Sequence, residues 1–76
     1  RSPRPEYLGQ DEGRIVIDIT VDPKGNVISA TIAKKTTIDN ASMRRSALEA
    51  AKRAKFNSIS GSNNQSGSIT YRYSLR

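Results

Sequence analysis

The chain has 76 residues, of which 34% are apolar, and a net charge of +6 from 13 basic and seven acidic side chains. So short a chain fills one small core only, and a domain of this size buries roughly 60% of its unfolded surface. Cysteine and histidine are both missing, which excludes disulfide staples, thiolate or imidazole metal sites and every catalytic arrangement built on those side chains.

No enzyme activity, cofactor or metal is therefore expected. Serines and lysines are too common here for a Ser-Lys pair to carry information. No apolar run reaches the roughly 18 residues of a membrane-spanning helix, and no signal peptide opens the chain. The basic surplus favours anionic partners without choosing among nucleic acid, lipid headgroups and acidic peptides.

The opening Arg1-Ser2-Pro3-Arg4-Pro5 reads as the tail of a linker. Residues 1–12 are accordingly taken as linker end and lead-in, and residues 13–76 as the folded domain. From Arg14 to Val21, Ile15, Ile17, Ile19 and Val21 alternate with Val16, Asp18 and Thr20, the period-two pattern of a strand rich in β-branched residues. Asp22-Pro23-Lys24-Gly25-Asn26 supplies a proline-preset turn with a glycine for a positive backbone angle, closing a hairpin. The second arm, Val27 to Lys34, places Ile28, Ala30 and Ile32 on one face and Ser29, Thr31 and Ala33 on the other. The turn is no calcium loop, because the twelfth position counted from Asp22 is Ala33 rather than glutamate.

Lys35 to Ile38 reads as a polar connection. Asp39 is the expected helix N-cap, with Ser42 the competing choice. The helix is expected to run to about Lys55, with Met43, Ala47, Leu48, Ala50, Ala51 and Ala54 on its inner face and Arg44, Arg45, Glu49, Lys52 and Arg53 mostly outside. Phe56 reads as a plug at the helix end. Asn57 to Ser66 is a glycine- and serine-rich loop whose sole apolar residue is Ile59. Gly67 to Leu75 alternates again, with Ile69, Tyr71, Tyr73 and Leu75 on the core face and Ser68, Thr70, Arg72 and Ser74 opposite.

These elements predict an α+β domain of order β-β-α-β. The first strand, the most apolar, takes the centre of a three-stranded antiparallel sheet of order 2-1-3, and the helix packs on one face. Such a sheet cannot close, so its outer strands leave amides and carbonyls unpaired unless something covers them. The last strand is thus a latent site for strand addition, and the same exposed margins make edge-to-edge homodimer pairing an alternative. The basic helix positions Arg44, Arg45, Lys52, Arg53 and Lys55 are read as a solvated face. Nucleic acid is not an expected partner, since the final strand's aromatics fall on the covered side and no G-x-x-G loop or RNP-like motif occurs; a basic nucleic-acid or cell-wall binder is the alternative function.

Taken in order, E-G-R-I-V-I-D-I-T-V-D-P-K-G-N-V, the helix A-L-E-A-A-K-R-A-K-F and the closing G-S-I-T-Y-R-Y-S-L resemble the TonB C-terminal family, with a flavour of its Bacteroidota branch in R-P-E-Y-L-G-Q-D-E-G. The departures lie in the lead-in, Pro5-Glu6-Tyr7-Leu8, and after the helix, Phe56-Asn57-Ser58, where many members carry proline. The resemblance implies a periplasmic domain of an energy transducer. An inner-membrane anchor and a proline-rich spacer, neither within this stretch, would tie it to a motor resembling ExbB and ExbD. The domain would capture the TonB box of an outer-membrane transporter by strand addition along Gln65, Ser66, Ser68, Ile69, Thr70, Tyr71, Arg72, Tyr73 and Ser74.

Overall fold

The computed structural model describes residues 11–58 and 61–75. Most of the lead-in, and Ile59 of the last loop, lie outside the described residues. The elements are β1 (Gly13–Val21), β2 (Val27–Ile32), α1 (Ala41–Arg53) and β3 (Gln65–Tyr73). They form one antiparallel sheet of order β2-β1-β3, with α1 resting on β2 and β1. Fold class, element order and strand order are those expected from the alternation pattern.

The core is a thin layer between sheet and helix. Ile15, Ile17 and Ile19 of β1 meet Met43, Ala47 and Ala51 of α1, and Ile38 completes the cluster. Burying each isoleucine contributes about 1.5–3 kcal/mol. The alanines, fully buried at positions 47, 50 and 51, give the helix a flat side that lets its axis approach the sheet. Ile38 is a correction: assigned to the polar connection, it is 2% exposed.

The helix begins one residue later than Asp39 would place it. Asn40 is the N-cap, its Oδ1 accepting from the Met43 amide at 3.0 Å, so neither Asp39 nor Ser42 caps it. Both asparagine and aspartate suit that role; here the one-residue offset lets Ile38 point into the core. The Arg44 guanidinium then closes over the segment just before the helix, donating to the Ile38 carbonyl at 3.0 Å. At the other end the helix stops at Arg53, with extended backbone at Ala54.

Three further expectations are corrected. Ile28 is 54% exposed instead of lining the core. Thr20 pairs with Ser29 but Val21 with Val27, so β2 holds one extra residue there, and this bulge shifts the alternation; Val27, Ala30 and Ile32 pack inward instead. Phe56 is no plug, being 43% exposed; its backbone rather than its ring is the anchor, the amide donating to the Gly25 carbonyl at 2.9 Å. β2 ends at Ile32 rather than Lys34, because the chain turns at Ala33–Thr36.

Gly25 has φ +90°, and a side chain there would collide with the Phe56 carbonyl. Asp22 organises the same turn: its Oδ1 accepts from the amides of Lys24 (3.0 Å) and Asn26 (2.9 Å). The segment after β2 continues along the same side of β1. Thr36 Oγ1 accepts from Val16 N at 3.0 Å and reaches Val16 O at 3.2 Å, while Thr37 accepts from Arg14 N through its hydroxyl and donates to Arg14 O through its amide, both at 2.9 Å. Two hydroxyls thus stand in for ladder groups where β2 has ended.

Candidate functional site

Those threonine contacts settle the direction of the peptide groups along β1 and, through the unbroken register, along β3. Arg14 and Val16 send their amides and carbonyls towards Thr37, Thr36 and Ala33. Peptide groups alternate in direction along a strand, so the odd-numbered residues of β1 turn theirs towards β3. Gly13 pairs with Tyr73, Ile15 with Tyr71, Ile17 with Ile69, Ile19 with Gly67 and Val21 with Gln65. The backbone groups of those five β3 residues are consequently committed to β1. Leu75 continues the rule, donating its amide inward to Glu12 Oε1 at 2.9 Å.

The intervening residues Ser66, Ser68, Thr70 and Arg72 turn their amides and carbonyls away from the sheet. Among the described residues no strand lies beyond β3, and all four are exposed. This margin runs unbroken through the nine residues of β3. The opposite margin differs: β2 has six residues, its register is interrupted at Ile28, and α1 rests on it. A bulge and a short length are devices that blunt an edge. β3 has neither.

Each expected site residue can now be placed. Gln65 and Ser66 open the strand rather than belonging to the loop, since β3 starts two residues before Gly67. Ser68, Thr70 and Arg72 display both backbone and side chain. Ile69, Tyr71 and Tyr73 face the helix side but remain half-buried, because α1 covers β2 and β1 and leaves the β3 flank thinly roofed. Ser74 is exposed just past the strand end. Burial pushes the phenol of Tyr71 up from its ordinary value of 10.0, with nearby Arg53 opposing. Burial also raises Tyr73, and Tyr71 beside it adds to the effect. Both rings therefore stay neutral at physiological pH.

Away from the helix, the sheet's open face carries Thr20, Ser29, Thr31, Ser66, Ser68 and Thr70 around Asp18. Arg14 sits across from Arg72 on this face, a like-charge pairing that is unfavourable by itself and leaves positive potential at one end of the margin. Sequence reasoning left Arg14 and Gly67 out of the site; the β1–β3 register, which pairs them with Arg72 and Ile19, was the signal needed. Among the described residues no three His, Cys, Asp or Glu side chains cluster as metal ligands, and no helix is long and apolar enough to cross a membrane.

The fold is a small antiparallel sheet roofed by one helix, with the β3 margin unpaired among the described residues. A family model, the Gram-negative bacterial TonB protein C-terminal, matches residues 3–75. The chain belongs to that family, a family of periplasmic domains of transport energy transducers and not of enzymes. No curated protein and no solved structure gives a match to this chain.

Proposed function

We propose that this domain couples an energised inner membrane to outer-membrane transporters by adding the transporter's TonB box to β3 as a fourth strand. The observation that carries the reading is the outward row of amides and carbonyls on Ser66, Ser68, Thr70 and Arg72, derived from the β1–β3 register. Backbone pairing of this kind is nearly indifferent to the visitor's sequence, so one domain serves boxes that differ. Each hydrogen bond contributes about 0.5–1.5 kcal/mol net. Against the roughly 4–15 kcal/mol lost on association, a handful of such bonds gives weak, reversible capture.

In this reading residues 1–12 lead from a spacer and an inner-membrane anchor, a motor resembling ExbB and ExbD supplies the force, and the load passes from the docked strand through β3 into β1. Loading several parallel bonds together resists a pull that would open them singly. The basic positions Arg45, Lys52 and Arg53 are exposed on the helix, where Lys52 pairs with Glu49 at 3.3 Å, and take no part in capture.

The test is a titration of the isotope-labelled domain with extended peptides taken from the periplasmic ends of candidate transporters. The amides of Ser66, Ser68, Thr70 and Arg72 should move first and saturably. Movement confined to Ala30 and Ile32 on the β2 margin, or to the basic helix face, would refute the reading.

A further inference from the structure

Gly67 has no folding role that the structure reveals. It lies inside a strand, where glycine weakens pairing and packs nothing, and its φ is not positive. Space does not demand it either. A Cβ built there meets the Ile19 side chain at 3.8 and 4.0 Å, ordinary contact distances, and no other described atom within 4 Å. The residue is exposed. A strand glycine without conformational or steric cause marks a place where something else approaches closely.

Its position in the register says what approaches. Gly67 commits its amide and carbonyl to Ile19, so towards the open margin it is a non-hydrogen-bonded site. A large side chain on the neighbouring strand can then lie over the glycine, the arrangement known to compensate glycine at sheet edges. Beneath it would be Ile19, whose Cγ1 and Cδ1 occupy the direction in which a Gly67 side chain would point, and beside it the half-buried Ile69.

We infer that the strand added at β3 carries a large apolar side chain, on the helix-facing side, directly across from Gly67, and that the glycine is the notch that selects it. This inference rests on β3 being the docking margin. It adds side-chain selectivity to a grip that is otherwise blind to sequence, because the hydroxyl-bearing neighbours Ser66 and Ser68 contribute nothing comparable on the opposite face.

The experiment uses synthetic threonine-rich peptides as long as β3, each with one phenylalanine moved stepwise along it, and matched peptides with alanine in its place. On the unaltered domain one phenylalanine position should bind at least about tenfold tighter than its alanine partner. Gly67→Val should keep or raise the thermal midpoint, since valine favours strands, yet abolish that preference by filling the notch. Gly67→Ala, a smaller change, should reduce it in part and serves if valine disturbs the fold. A preference of equal size on both variants, or none at any position on the unaltered domain, overturns the inference while leaving the docking margin intact. Failure of every peptide to shift the amides of Ser66, Ser68, Thr70 and Arg72 overturns the margin itself, and the notch with it.

Discussion

Thr70 lies directly across from Val16 and gives it neither amide nor carbonyl. Val16 spends both groups on the far side, against Thr36 and Ala33, so those of Thr70 face outward. Proline at this position removes a donor that the fold does not use. Thr70→Pro should therefore leave the domain folded, because edge strands tolerate proline, and should weaken peptide capture. Ile69→Pro, one residue away, deletes an inward donor paired with Ile17 and should cost about 1–3 kcal/mol or more of stability. Chemical denaturation and peptide titration of both variants separate the two effects.

The hydroxyl of Thr36 replaces a ladder partner for the central strand. Thr36→Val leaves Val16 N–H without its acceptor, and Val16 is 5% exposed. A loss of about 1–3 kcal/mol is expected. Thr37→Val should cost less, since its bond to Arg14 N is exposed and water can replace it. Urea midpoints of the two variants, compared side by side, check the ranking.

Gly25→Ala combines a disfavoured backbone angle, worth about 1–3 kcal/mol, with a collision against the Phe56 carbonyl. The loss should therefore exceed that of an ordinary glycine replacement. Hydrogen exchange at the Phe56 amide, which donates to Gly25 O, should accelerate in the variant before global unfolding sets in.

Asp22 gives the fold a component of acid sensitivity. The Asn26 amide bonded to its carboxylate, assisted by the Asn26 side chain and by the Lys24 amide and charge, outweighs desolvation and holds its pKa below the ordinary 3.8. The folded state thus prefers the ionised form. The associated stability is complete above the unfolded value and disappears as pH falls through the lower folded one. Asp22→Ala should flatten the part of the stability profile below about pH 4 that this carboxylate supplies, as read from thermal midpoints across an acid series.

Regular alternation made the three strands, the helix and the 2-1-3 order legible in the sequence, and the β3 margin followed from that order. What escaped were features that a one-residue offset decides. Nothing in Val27-Ile28-Ser29 announces a bulge, since both apolar residues suit a strand, and only the pairing with Val21 and Thr20 reveals which is displaced. Ile38 sits amid polar neighbours and looks like loop until Asn40 is known to cap the helix. The direction of the β3 amides depends on Thr36 and Thr37, two residues that read as a polar connection yet complete the central strand. Gly67 carried no signal of its own, because a glycine at the start of an alternating run looks like punctuation until β3 is seen to begin at Gln65.

The thin roof over β3 means that the free domain is unfinished. A visitor laid alongside Ser66 to Arg72 would become the new border, turn β3 into an interior strand and place its own side chains against the half-open flank of Ile69, Tyr71 and Tyr73. Occupancy and melting temperature are then linked by mass action: the domain should melt highest with a strand docked on β3 and lowest when that margin is empty.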